Sequence, residues 1–195
     1  MKNQGDPQSP GRLSSFFTLK DVFTLRNTVV MGMLLAIGVV LDQFSIYITP
    51  TFKAISFAYL PGVMVSMLFG PWAAILYGFA FDSLGFFINS HGNSYFFGYA
   101  LTAMVTYLIY AVFMYQRPVK VWRVAIARGV VLLAVVFGLN FLWDYMMYHK
   151  AAGAYFTGVR LVNNLVQYPF HVVLTAFLAR YVQKLYPHVN KGKRT

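Results

Sequence analysis

Leu139-Asn140-Phe141-Leu142-Trp143-Asp144 and, further on, Arg160-Leu161-Val162-Asn163-Asn164-Leu165-Val166-Gln167-Tyr168-Pro169-Phe170-His171 decide how this chain folds. Both runs lie in segments otherwise apolar enough to span a bilayer. Polar and ionisable groups are costly in hydrocarbon and persist there only when paired or lining a cavity. Arg160, Asn164, Gln167 and His171 recur at four, three and four residues, which stacks them on one helical face. Asn140 and Asp144 stand four apart on the preceding helix, with Trp143 beside them. Two facing polar stripes predict a buried compartment for a polar solute. Interhelical glue is the simpler reading of such residues, but glue needs one or two polar groups rather than six.

Composition points the same way. Hydrophobic residues make up 58% of the 195, aromatics 18% and charged residues only 11%, against about a quarter charged in soluble domains. The predicted class is therefore an all-α integral membrane protein. At about 20 residues per span, the chain has room for six transmembrane helices and no sizeable soluble domain. A net charge of +11 invites a nucleic-acid reading, but the basic residues are spread along the chain rather than gathered in one patch. With no cysteine, disulfides, haem attachment and thiolate metal sites are excluded. Residues 1–20, polar and punctuated by Pro7, Pro10 and Gly11, read as a disordered cytoplasmic tail rather than a signal peptide.

Six apolar stretches follow, at about residues 26–46, 56–68, 72–88, 95–115, 123–148 and 159–186. The second is short and stops at Phe69-Gly70-Pro71. It either begins nearer Ala54 or follows a 47–55 stretch that re-enters the bundle, which is tolerated only where protein or water covers the backbone. A membrane domain over 21–187 and a basic cytoplasmic tail over 188–195 complete the layout. Lys and Arg cluster in the first-helix entry (Lys20, Arg26), the 116–123 loop (Arg117, Lys120, Arg123) and the C-terminal end (Arg180, Lys184, Lys191, Lys193, Arg194), whereas Lys53 and Lys150 stand alone on the other side. The positive-inside rule then makes both termini cytoplasmic and turns the 47–55, 89–94 and 149–158 loops outward.

Catalytic and nucleotide motifs are missing. The one Gly-Lys pair, Gly192-Lys193, lacks the upstream glycine of a phosphate loop, no nucleophile elbow or zinc-protease signature occurs, and there is no glutamate. His149 and His171 are separated by most of a helix and make no metal pair. Asp42, Asp82 and Asp144 raise the possibility of a proton relay, but no inverted repeat accompanies them. Small residues supply a further signal. Gly32 and Ala36, then Gly38, mark one face of the first helix, and Gly70, Ala74 and Gly78 mark one face of the third. Such faces allow close helix approach, either inside the bundle or against a partner.

The blocks Thr49-Pro50-Thr51-Phe52-Lys53-Ala54-Ile55-Ser56-Phe57-Ala58-Tyr59-Leu60-Pro61, Leu68-Phe69-Gly70-Pro71 with Gly78 and Asp82, Tyr95-Phe96-Phe97-Gly98-Tyr99-Ala100-Leu101-Thr102-Ala103, Leu139-Asn140-Phe141-Leu142-Trp143 and Arg160-Leu161-Val162-Asn163-Asn164 with Pro169 occur in an order that resembles the substrate-binding S-components of energy-coupling factor (ECF) vitamin transporters, within them the folate family. The resemblance implies six helices around an outward-facing vitamin pocket in a prokaryotic plasma membrane. It also implies a membrane coupling subunit and two ATPases as partners, with no cofactor and no enzymatic activity. Gly32 and Ala36 fall on the family's docking motif. Arg160, Asn164, Asn140 and Trp143 are the expected substrate contacts. In that reading Arg160 fixes a carboxylate, the asparagines read ring or amide edges, Trp143 stacks, and Lys53 and Tyr95 lid the site from outer loops. Two positions depart from the folate pattern: Gln43 and Asn163 stand where basic residues are common. Losing two cations disfavours a dicarboxylate and keeps pantothenate, cobalamin or a thiamin-related pyrimidine open as ligands. A stand-alone proton-coupled transporter is the competing class.

Overall fold

The structure, a computed structural model, describes residues 22–44, 46–49, 52–88 and 95–185, with the backbone alone at 46–49, 52–55, 144, 147–163 and 185. Both expected tails and the 89–94 loop lie outside the described residues. Helix α1 (Leu25–Gln43) opens on Thr24, whose Oγ1 accepts the Asn27 amide at 3.4 Å and so satisfies one of the donors a helix start leaves unpaired. Strands β1 (Ile46–Thr49) and β2 (Phe52–Ile55) pair antiparallel. Helices α2 (Tyr59–Phe69), α3 (Pro71–Ile88) and α4 (Phe97–Met114) follow. Then come α5 (Val121–Val131), a π-helical segment (Leu132–Asn140) and α6 (Phe141–Leu185).

Two features differ from the sequence expectation. The first is the hairpin, since an all-α fold leaves no place for it. Its Cα partners run Ile46 to Ile55, Tyr47 to Lys53 and Thr49 to Phe52. It precedes a helix of 11 residues, about 16 Å long at 1.5 Å per residue, roughly half the hydrocarbon thickness of about 30 Å. Strand pairing gives the backbone of this short stretch internal hydrogen-bond partners, the condition for irregular chain at membrane depth. β2 lies against α6, and Phe57 meets Phe170 edge-on at 6.1 Å.

The second difference is that residues 149–158, expected as an outer loop, are helical, within the run assigned to α6. That run is not one straight rod. The Tyr168 hydroxyl donates to the Ala125 carbonyl at 2.7 Å, though 43 residues of straight helix would hold them about 65 Å apart. From Val121 to Trp143 the chain runs antiparallel to α4, bonding Arg128 to Tyr110 and Trp143 to Thr102. The reversal therefore falls between Trp143 and Asn164. It leaves two antiparallel arms, Val121–Trp143 and Asn164–Leu185, as the polar stripes demanded. At the far end Gln183 clamps the 116–119 turn, donating from Nε2 to the Arg117 carbonyl at 2.8 Å and accepting from Val119 N at 3.1 Å.

Among the described residues, four helical stretches are long and apolar enough to cross a membrane: Leu25–Gln43, Pro71–Ile88, Phe97–Met114 and Val121–Trp143. Packing between them is decided by small residues. Gly70 adopts φ 86°, a left-handed conformation open to glycine, and with Pro71 at the start of α3 it sets the sharp exit of α2. Ala74 is fully buried, and a Cβ on Gly78 would sit 2.8 Å from the Met104 backbone. The Gly70/Ala74/Gly78 stripe is thus internal packing, which answers one of the two readings of that motif. α1 is the opposite case. Leu25, Met33 and Phe44 are 84%, 61% and 79% exposed, and a Cβ on Gly32 meets nothing within 4 Å.

Because backbone rather than a flexible side chain faces Gly78, Gly78→Leu should force α3 and α4 apart and cost about 1–3 kcal/mol or more. The expected outcome is a lowered thermal midpoint, or loss of monodisperse protein, in detergent. Gly32→Leu should leave the midpoint unchanged.

Candidate functional site

Two polar clusters sit on the arms. The deeper one is built around Arg128 of α5. Its Nη2 donates to Asn164 Oδ1 across the arms at 3.3 Å, and its guanidinium hydrogen-bonds the buried Tyr110 of α4. Nearby, Tyr59 at the head of α2 stacks on His171 with centroids 4.4 Å apart and planes 9° from parallel. Thr175, one turn beyond His171, donates to the Tyr59 hydroxyl at 3.5 Å. Tyr59 reaches this depth because α2 is short; a full-length span would have carried the head of the helix to the membrane surface. His171 is 7% exposed. Its two ring nitrogens and Arg128 Nε are buried without a hydrogen-bond partner among the described residues.

The second cluster is organised by Thr102 of α4. Its hydroxyl accepts from Trp143 Nε1 at 3.1 Å, and its single proton faces two acceptors, the Gly98 carbonyl at 3.0 Å and Asn140 Oδ1 at 3.4 Å. Phe96 packs edge-on against Trp143 at 5.5 Å. Tyr95 turns the other way, toward the end of α3, where its hydroxyl meets Ser83 at 3.3 Å and its ring lies 5.0 Å from Phe86. Between the clusters run the nine π-helical residues Leu132–Asn140. Such segments often mark functional positions, because the wider turn re-aims side chains. Arg128 and Asn140 are twelve residues apart, at most about 18 Å at the α-helical rise.

The sequence expectation grouped Asn140, Trp143, Arg160 and Asn164 as contacts of one substrate. The structure joins Asn140 to Trp143 through Thr102 and takes Asn164 to Arg128 instead, because the antiparallel register sets Asn164 against α5, well below Asn140. The side chains of Arg160, Lys53 and Asp144 lie outside the described residues. Arg128, Tyr59 and Thr102 were missed. Arg128 had a signal, as the one cation between Val124 and Asn140. Loop charges drew attention to orientation, and an in-span arginine outside the spaced stripe went unweighed. Tyr59 and Thr102 fall inside the blocks that carry the resemblance, but their residue types alone do not mark them, since aromatic and hydroxyl side chains are ordinary in such helices. Among the described residues no cluster of three or more His, Cys, Asp or Glu side chains gathers to hold a metal ion.

Known proteins resemble this chain in sequence and in fold. Residues 26–179 match the family of substrate-specific components of ECF transporters. The chain is 33% identical over 144 residues to the folate transporter FolT of Clostridium novyi (strain NT), covering 74% of this chain and 82% of that protein. To the folate transporter FolT of Leuconostoc mesenteroides subsp. mesenteroides it is 32% identical over 158 residues, covering 78% and 84%. The crystal structure of FolT bound with folic acid superposes with a TM-score of 0.72 at 29% identity, over 81% of this chain and 95% of that one.

Thr102→Val should strand the Trp143 indole N–H and remove a donor from Asn140. Leaving such part-buried groups unpaired costs about 1–3 kcal/mol. The expected readout is a lower thermal midpoint with a shifted tryptophan emission, and Thr102→Ser should restore both.

Proposed function

The chain belongs to the substrate-specific components of ECF transporters, and we propose that within this family it is the high-affinity folate-capturing subunit of an ATP-driven importer. The observation that carries the reading is the match to two proteins named as folate transporters, each at about one-third identity over most of both chains. Likeness to FolT bound with folic acid supports it. The relatives are transport subunits rather than enzymes, and the apolar helices make this a membrane protein.

Folate joins a flat heteroaromatic head to a glutamate tail with two carboxylates. In our reading it lies between the arms. Arg160 fixes a carboxylate, bidentate where geometry allows, Asn164 and Asn140 read polar edges, and Trp143 offers its ring face. Lys53, on the hairpin strand that lies against α6, covers the mouth, whereas Tyr95, packed on Ser83 and Phe86 of α3, borders it from the side. Arg128 adds a membrane-depth cation that offsets the basic residues lost at Gln43 and Asn163. Six spans with both termini in the cytoplasm, in a prokaryotic plasma membrane, turn this mouth outward. Transport then needs a membrane coupling subunit and two ATPases, docked on α1. There Gly32 stands open and Ala36 is exposed, so a partner helix approaches to backbone contact.

Calorimetry on monodisperse protein tests the ligand. Folate should bind, and pantothenate, cobalamin and a thiamin-related pyrimidine should not. Arg160→Ala should weaken folate by roughly 2–4 kcal/mol; unchanged affinity removes Arg160 from the site.

Replacing Gly32 and Ala36 together by Leu should leave folate binding intact while ATP-driven uptake with the partner subunits fails. Normal uptake by the double variant would sink the docking role. Uptake by the isolated chain in liposomes, abolished by an uncoupler, would make it a secondary transporter instead.

A further inference from the structure

The deep cluster has more donors than the protein uses. Arg128 carries a full charge at membrane depth, yet the partners the structure gives it, Asn164 Oδ1 and the Tyr110 hydroxyl, are both neutral. Among the described residues its Nε is buried and unbonded, and so are both ring nitrogens of His171. A guanidinium with no counter-charge among the described residues is expensive in low dielectric, so it persists in a membrane bundle where something meets it or where it lines a cavity. The surroundings are also rigid. Tyr59 is held by stacking on His171 and by the Thr175 hydroxyl. A fixed, donor-rich floor of this kind is what a buried binding site requires, because its groups lose little freedom when a ligand arrives.

We propose that Arg128 is a ligand-binding residue, receiving an acceptor oxygen of the bound vitamin at the closed end of the site, with His171 beside it and Asn164 and Tyr110 aiming the guanidinium. The inference rests on the folate reading and adds to it a contact deeper than the Asn140–Trp143 cluster. The acceptor has two sources in folate: the ring carbonyl of the head, or a carboxylate of the tail. Either end brings the oxygen that the buried guanidinium lacks.

The test is calorimetry of wild type and Arg128→Met against folate, pteroic acid (head without glutamate) and p-aminobenzoylglutamate (tail without the pterin ring). Arg128→Met should weaken folate roughly 30-fold or more, the scale of truncating one side of a buried charged contact. It should also weaken one fragment while sparing the other, and the fragment affected identifies the end that meets Arg128. Arg128→Lys, which keeps charge but not the planar fork, should recover part of the folate loss. Tyr168→Phe loosens the same pair of arms without touching the guanidinium and should leave folate affinity within about twofold. Unchanged folate affinity in Arg128→Met overturns the inference. So does equal weakening of both fragments, or a comparable loss in Tyr168→Phe, either of which makes Arg128 a packing residue. Wild-type protein that binds none of the three compounds instead sinks the folate reading on which the inference stands.

Discussion

Every polar side chain that this protein carries into hydrocarbon has to be met there, because no water is available to take its hydrogen bonds. That constraint arranges the second half of the molecule. The arm Val121–Trp143 carries Arg128 and Asn140; the arm Asn164–Leu185 carries Asn164 and His171. Folding one arm against the other brings Arg128 to Asn164, while Asn140 and Trp143 turn to Thr102 of α4. Polar groups thus choose the register of the arms, and apolar residues such as Val124, Ala127, Val172 and Ala176 fill the space between.

The first half of the molecule is organised by size rather than polarity. Lipid is as apolar as a leucine side chain, so helices in a membrane associate through close packing instead of hydrophobic exclusion. Gly78 lets α4 approach α3 to backbone contact. Above the same pair of helices Tyr77 and Tyr107 pack edge to face at 5.3 Å. α1 joins this group through few contacts, with only Gly38 and Val39 buried, and leaves most of its surface to whatever surrounds the protein. One and the same kind of residue, small and apolar, therefore closes the bundle on α3 and leaves it open on α1.

Between the halves, the hairpin and short α2 set the depth of the site. An 11-residue helix cannot cross the bilayer, and this shortfall is what carries Tyr59 down to His171. The chain just before that helix satisfies its backbone by pairing strands. The result is a floor of aromatic and donor groups beneath a second cluster on Thr102, with a π-helical stretch joining the two along one arm.

The sequence alone determined the membrane class, the order of the apolar segments and the polar character of the last two, since hydropathy and helical spacing are local properties that survive without knowledge of neighbours. It also carried the family, which the comparisons bear out. The tertiary structure decided which polar groups meet. Spacing placed Arg160, Asn164, Gln167 and His171 on one face but said nothing of the register between the two arms, and register separates Asn164 from Asn140 and delivers it to Arg128. Spacing likewise could not tell the internal stripe of α3 from the open face of α1, because both read as small residues four apart and only the neighbouring helix distinguishes them. The hairpin stayed hidden for a related reason: its short strands, interrupted by Pro50, gain their stability from pairing with each other, and pairing is not written in the residues of either strand alone.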